Sequence, residues 1–392
     1  MAQKIVIVGS SIAGISAAKA ARQQDPEARI ILLSAENDLP YYRLRLCEVL
    51  DNPDKAGDLT IEPSEWYDAH RFELRLNEKV VAIDRPAKLI QLASGATESY
   101  DRLVIACGST TLVPPIDGVK RPGVMTLWTM AEARGIAALL NPQVRVVVIG
   151  GGLLGLLAAH HIRRTGAQTT ILERADRLIA NQLDEAGSAV FKSHVDRLGI
   201  QVVLTADTQA IFGTDESPDS PAAGVRLSDG RIFEADLVLV SIGVRANIAF
   251  AEAAGLAITR RIVTNDAMQT NDPDIFAAGD AAEPDQYWFG LWSVAMDQGW
   301  IAGINAAGGN TVFAKTVPPY FVQAMDTQVV VQGDRGGPGE VEPTIELDHD
   351  IHGGKYRKLI YRNNILTGFM LVGDTSEFVE LRRKLGQPRG LI

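Results

Sequence analysis

Apolar residues in this chain gather in short unbroken runs that stop at glycine. Ile5–Val8 meets Gly9, and Val146–Ile149 meets Gly150. Runs of this length, rich in β-branched residues and without polar alternation, predict strands buried on both faces. Each run leads into a glycine-bearing turn, an apolar helix and a second run, Arg29–Leu33 in the first case and Gln168–Leu172 in the second. Strand, turn, helix and strand make a βαβ unit, and the chain contains it twice. Two later runs, Leu237–Ile242 and Ile275–Ala278, predict further strands of the same sheets. After Asn310 the pattern changes to shorter β-like runs, Gln328–Gln332, Tyr356–Tyr361 and Ile365–Val372, with a closing helix near Ser376–Leu385. This predicts a third, small α+β domain.

Punctuation between these segments is weaker. Pro114-Pro115 and Pro122-Gly123 mark the approach to the second repeat. Gly213–Gly224, rich in Ser, Pro and Asp, predicts an exposed hairpin loop, and Asp334–Asp350, with six acids and one Arg, predicts a solvated loop.

Composition narrows the class. A chain of 392 residues exceeds one ordinary core, and 46% hydrophobic with 22% charged residues is globular usage. A net charge of −10 argues against general binding of nucleic acid, although Arg382, Arg383, Lys384 and Arg389 form a local basic patch. The first apolar run starts at Ile5 and meets Gly9 directly, so no signal peptide is expected. Val146–Ala159 is the most lipid-like stretch, but it holds four glycines and is shorter than the ~20 apolar residues of a membrane span. Cys47 and Cys107 are the sole cysteines, which gives no disulfide framework and fits a reducing cytoplasm.

The second glycine turn reads Gly150-x-Gly152-x-Leu154-Gly155. In such a turn the first Gly permits the tight bend, the second lets the backbone approach a pyrophosphate, and the third lets helix pack on strand. The helix N-terminus then offers free N–H groups and partial positive charge to the anion. Glu173 closes the following strand, where an acid can bind an adenosine ribose. The first turn is imperfect, Gly9, Ser11 and Gly14, with Glu36 after the next strand. Tight packing corners with solvated acids are the competing reading of both.

The ordered set of motifs resembles the FAD-dependent pyridine nucleotide oxidoreductases with two dinucleotide domains, and most of all the NADH:rubredoxin oxidoreductase-like reductases. The carriers are Gly9–Gly14, Leu39-Pro-Tyr-Tyr-Arg-Leu-Arg-Leu46, Tyr100–Ser109, Gly150–Gly155, Gln182-Leu-Asp184, Val240–Arg245, Asp274–Asp280, and Gly290-Leu-Trp followed by Gln298-Gly. The resemblance covers essentially the whole chain. It implies an α/β fold of two Rossmann-type domains, for FAD and NAD, plus a small C-terminal α+β domain. The FAD domain would comprise 1–113 and 244–309, the NAD domain 114–243 and the C-terminal interface domain 310–392.

Roles follow from the same resemblance. Asp280 would accept hydrogen bonds from FAD ribityl hydroxyls, and it also reads as the N-cap of a following helix. Arg43 resembles an FAD-contacting Arg, or else a surface charge. Val81 resembles the residue whose backbone meets adenine, and Cys107-Gly108 a turn in which backbone matters more than side chain. Gly243 would lie beside the nicotinamide. Trp292 would sit at the flavin's pyrimidine edge or in the core.

The departures are as informative. The family's disulfide reductases carry a close Cys pair at the flavin, which this chain lacks; Cys47 reads as a buried inert thiol in preference to a redox centre. Glu48 and Leu157 stand where many relatives have Lys and Glu near the nicotinamide. Glu173 favours NAD over NADP because a 2′-phosphate would meet like charge. The chain is therefore expected to move electrons between NAD(H) and a one-electron protein carrier, of rubredoxin or ferredoxin type, without a redox-active disulfide. The alternatives are an electron-transfer subunit of a larger complex, such as a 2-oxoacid dehydrogenase, and an NADH oxidase.

Overall fold

The computed structural model describes residues 2–390. In the first unit β1 (Lys4–Val8), α1 (Ile12–Gln24) and β2 (Arg29–Leu33) follow the predicted order. The parallel sheet runs Ile275–Ala277, Arg102–Ile105, β1, β2, Phe72–Arg75. In the second unit β3 (Arg145–Ile149), α2 (Leu153–Arg164) and β4 (Gln168–Leu172) do the same. Its parallel sheet runs Gln201–Val203, β4, β3, Leu237–Val240, Val124–Met125. β1 and β3 are central strands flanked on both sides, so their apolar runs are continuous where a half-exposed strand would alternate. Each is also the point at which the strand order reverses, and in an open α/β sheet the ligand crevice opens there, beyond the strands' carboxyl ends.

Beside each parallel sheet lies a three-stranded antiparallel meander, Val80–Asp84, Leu89–Leu92, Thr97–Ser99 in one unit and Thr208–Gly213, Ala222–Leu227, Ile232–Glu234 in the other. The stretch Gly213–Gly224 makes the hairpin connection of the second meander, as its composition predicts. Two strands, Ser109–Thr111 and Val244–Ala246, pair antiparallel where the chain leaves the first unit and returns to it.

The return leg ends in α3 (Trp292–Ala306), which packs on α1. Gly299 and Gly303 lie in its middle, although glycine in a helix interior costs about 1 kcal/mol relative to alanine. Their positions explain them: a Cβ on Gly299 would lie 2.8 Å from Ala13 Cα, and one on Gly303 2.7 Å from Ala17 Cα. The two backbones approach so closely that no side chain fits between. Gln298, 1% exposed, uses its Oε1 to accept the Gly279 N–H at 2.9 Å, which ties α3 to the segment carrying Asp280.

The C-terminal sheet is antiparallel, in the order Tyr320–Ala324, Thr327–Gly333, Ile365–Val372, Lys355–Arg362, Thr344–Asp350, with a helix at Phe378–Lys384. Here one expectation fails: Thr344–Asp350 is an edge strand and not part of a loop. Its Thr-Ile-Glu-Leu-Asp-His-Asp alternates in the strand period, and exposure of an edge strand tolerates its acids. A single apolar core joins the three parts, with Leu50 from the first unit, Leu156 and Phe191 from the second, and Val329 and Tyr356 from the C-terminal sheet. Among the described residues no helix is long and apolar enough to cross a membrane.

Candidate cofactor clefts

The first cleft opens at the end of β1. Gly9 takes φ +105°, and a Cβ there would lie 2.6 Å from the Ala106 carbonyl carbon. A Cβ on Gly14 would lie 2.9 Å from the Gly9 carbonyl carbon, so this turn closes only with glycine at both places. Ser11 is the N-cap of α1, but its hydroxyl caps no N–H. The first-turn amides and the positive end of the helix dipole are thus left to an anion.

Acid and base groups around this cleft form one hydrogen-bonded chain. Glu36 Oε2 accepts from the Tyr41 hydroxyl at 2.7 Å, and Oε1 accepts from Arg43 Nη2 at 2.6 Å. Arg43 also donates to the Trp128 carbonyl, and its guanidinium lies 4.9 Å from the Tyr41 ring centre. Trp128 Nε1 donates to the Ser109 carbonyl at 2.7 Å. Ser109 Oγ donates to Asp280 Oδ2 at 2.7 Å, and Trp288 Nε1 to Asp280 Oδ1 at 3.2 Å. Asp280 is therefore a recipient of side-chain bonds inside the short turn Gly279–Ala281, whose N-cap is Ala278; the N-cap expectation for Asp280 is corrected. Cys107 and Gly108 lie between β1's neighbour strand and Ser109, and Gly108 takes φ +64° with open space at its Cβ position. Trp292 begins α3 and stacks on Tyr42 with ring centres 5.8 Å apart. Val81 takes no part in the chain of contacts and is 42% exposed on its strand.

The second cleft repeats the construction at the end of β3. Gly150 takes φ +115°, with a hypothetical Cβ 2.8 Å from the Ser241 carbonyl carbon, and Gly155 abuts the Gly150 carbonyl. Gly152 N-caps α2, is exposed, and has nothing within 4 Å of its Cβ position, which leaves the space a bound phosphate requires. Glu173 Oε2 accepts from the Gly151 N–H at 2.6 Å and Oε1 from the Ala175 N–H at 2.7 Å. Both bonds fix the carboxylate at the mouth of the turn. Gly243 takes φ +120° with open space around it, so its backbone conformation and not protein crowding calls for glycine. Leu154 and Leu157, with Leu153, pack against the core that contains Leu46, Cys47 and Leu50. Glu48 is bound by Arg45 at 2.7 and 2.8 Å.

Both thiols are unpaired. Cys47 is 2% exposed, and burial pushes its thiol up to about 12. Burial also pushes Cys107 up to about 12, and its Sγ donates to the Asn247 carbonyl at 3.0 Å. Neither is ionised at neutral pH, and the thiolate is the reactive form. If the two clefts serve electron transfer, replacing both by alanine leaves reduction of an artificial dye largely intact. A loss beyond about a hundredfold in steady-state rate, or about 2.7 kcal/mol of barrier, with the cofactor still bound would mean a thiol takes part.

Tyr41, Ser109, Trp128 and Trp288 belong to the first cleft although the sequence assigns none of them a role. Tyr41 and Ser109 carry the nearest signal, since they lie within the motif stretches Leu39–Leu46 and Tyr100–Ser109. Trp128 meets Arg43 from a distant part of the chain, and no motif covers Trp288, eight residues after Asp280.

A family model described as pyridine nucleotide-disulphide oxidoreductase matches residues 3–299. The chain is 29% identical over 381 residues to a nitrite reductase [NAD(P)H] of Bacillus subtilis, covering 96% of this chain but 46% of that protein. It thus spans about half the length of that relative. It is 28% identical over 387 residues to an NADH-rubredoxin oxidoreductase of Clostridium acetobutylicum, covering 97% of this chain and 94% of the other. Among solved structures, a ferredoxin reductase from Rhodopseudomonas palustris superposes with a TM-score of 0.88 at 26% identity, covering 97% of this chain and 93% of the other. Two parallel sheets, each with a glycine turn and a fixed acid at its switch point, and a family match over most of the length give one answer: the chain belongs to the pyridine nucleotide-disulphide oxidoreductase family.

Proposed function

We propose that this protein is an FAD-dependent oxidoreductase that transfers electrons between NAD(H) and a one-electron protein carrier of rubredoxin or ferredoxin type. The observation that carries the reading is the pair of complete clefts joined to two inert, unpaired thiols. FAD, when bound, accepts two electrons as hydride and can release them singly, so no thiol relay is required. The proposed division is an FAD domain of 1–113 and 244–309, an NAD domain of 114–243 and a C-terminal domain of 310–392, supported by the sheet to which each segment contributes. Residues Gly9, Ser11, Gly14, Glu36, Arg43, Val81, Cys107, Gly108, Asp280 and Trp292 are proposed for FAD. Gly150, Gly152, Leu154, Gly155, Glu173 and Gly243 are proposed for the nicotinamide dinucleotide.

In this reading the free N–H groups of α1 and α2 bind the two pyrophosphates, while Glu36 and Glu173 orient the adenosine riboses. Glu173 prefers a 2′-hydroxyl, because its carboxylate would repel a 2′-phosphate. The leucines of α2, together with the buried Cys47, exclude water from the side of the second cleft that faces the core. The proposed compartment is the cytoplasm, where two unpaired cysteines stay reduced.

The half-length match to the nitrite reductase supports a second reading, in which the chain is the electron-input part of a larger assembly. Anaerobic stopped-flow distinguishes the two. NADH should bleach the flavin at least about tenfold more effectively than NADPH, a difference of about 1.4 kcal/mol, and the reduced protein should then reduce rubredoxin or ferredoxin faster than oxygen. Oxygen consumption as fast as carrier reduction would make it an oxidase. Slow reaction with all three would favour the assembly.

A further inference from the structure

Arg261 is 6% exposed and makes no ion-pair contact among the described residues; the Asp280 and Glu283 carboxylates favour its charge from longer range. Its Nε donates to the Asp280 backbone carbonyl at 3.1 Å, and its guanidinium lies 3.6 Å over the Trp288 ring. The same indole donates Nε1–H to Asp280 Oδ1 at 3.2 Å. Ser109 Oγ occupies the other carboxylate oxygen at 2.7 Å. Arg261 and Trp288 thus grip one residue from two sides, by its backbone and by its side chain. Gly290 takes φ +62°, and a Cβ there would lie 2.8 Å from Trp288 Cζ2, so the loop after Asp285 is shaped around the indole.

Packing alone does not account for a guanidinium in this place. Burying a charge costs several kcal/mol unless partners compensate, and an apolar side chain of similar volume would fill the space without that cost. Burial draws Arg261 below the ordinary arginine range, and the Asp280 carboxylate is the largest influence opposing that shift. The aromatic face supplies part of the compensation.

We propose that Arg261 and Trp288 are positioning residues that hold the Asp280 carboxylate in the FAD cleft. The proposal rests on the assignment of this cleft to FAD. A carboxylate has about four acceptor sites on its two oxygens. With one protein donor on each, Asp280 keeps a further lone pair on each oxygen for cofactor hydroxyls, and it cannot rotate away from them.

The test is FAD affinity of reconstituted apo-protein, read by quenching of flavin fluorescence. Trp288→Phe keeps the ring for Arg261 and removes the N–H, and Arg261→Met keeps the volume and removes the charge. Each should weaken FAD binding about tenfold, the effect of one hydrogen bond, with the thermal stability of the apo-protein little changed. Asp280→Ala should weaken it more, and Trp288→Phe on the Asp280→Ala background should add nothing, because the indole acts through that carboxylate. Affinities within about twofold of wild type, or effects fully additive with Asp280→Ala, would overturn the proposal while leaving FAD in the cleft. Unchanged affinity in Asp280→Ala itself would overturn both the proposal and the cleft assignment beneath it.

Discussion

Gly303→Val is expected to melt the first unit on the order of 5–10 °C earlier than the wild type and to release FAD with it. The cause is the crossing of α3 over α1, where a Cβ on Gly303 would lie 2.7 Å from both the Cα and the carbonyl carbon of Ala17. The neighbours are backbone atoms, which cannot rotate out of the way as a side chain would. Insertion of bulk into a packed core costs about 1–3 kcal/mol, and a backbone obstacle puts this substitution at the upper end. Gly14 and Ser11 begin the helix that must move, and Gln298 on α3 holds the Gly279 N–H next to Asp280. Separating α1 from α3 therefore draws the glycine turn away from the acid that faces it. Ser293→Val, at an exposed position of the same helix, should change neither melting nor flavin content appreciably. Flavin fluorescence during a thermal ramp reads both effects; a Gly303→Val protein that melts with the wild type would show that the helices can part without loss.

Why Gly303 is glycine could not be read locally, and this marks what the sequence conceals. The two βαβ units were legible because a continuous apolar strand meeting glycine at its carboxyl end is a local signal, and Gly9 and Gly150 carry it. The acids Glu36 and Glu173 were legible through their spacing from those turns. In α3 the glycines count against helix by propensity, and the reason for tolerating them lies in Ala13 and Ala17, far away in the chain. The acidic stretch ending at Asp350 reads as a loop by charge and as a strand by alternation, and at a sheet edge alternation prevails. Arg261, Trp288 and Trp128 were invisible for a related reason. Their contacts with Asp280, Arg43 and Ser109 exist only once three separate stretches of chain have been brought together.

Lys358→Met should weaken the junction between the C-terminal sheet and the second unit by about 3 kcal/mol, the lower end of the range for breaking a shielded ion pair. Lys358 is 7% exposed, and its Nζ lies 2.8 Å from Asp184 Oδ2. Asp184 caps the helix Glu185–Arg197 through the Gly187 N–H at 3.0 Å and accepts the Tyr356 hydroxyl at 2.7 Å. The side chain of Asp184 remains one-third exposed, at 33%, so solvent screens part of the pair and the lower end of the range applies. Burial alone would raise the pKa of Asp184, but the hydrogen bonds from Lys358, Tyr356 and the Gly187 N–H outweigh it and hold the carboxyl below its usual range. A folded pKa below the unfolded value of about 3.9 contributes stability that is complete above that pH and is lost as pH falls through the folded pKa. The difference between wild type and Lys358→Met in urea midpoint should therefore stay constant from neutral pH to about 4 and shrink below it. A difference that instead closes between pH 7 and 5 would show that the Asp184 carboxylate does not carry it.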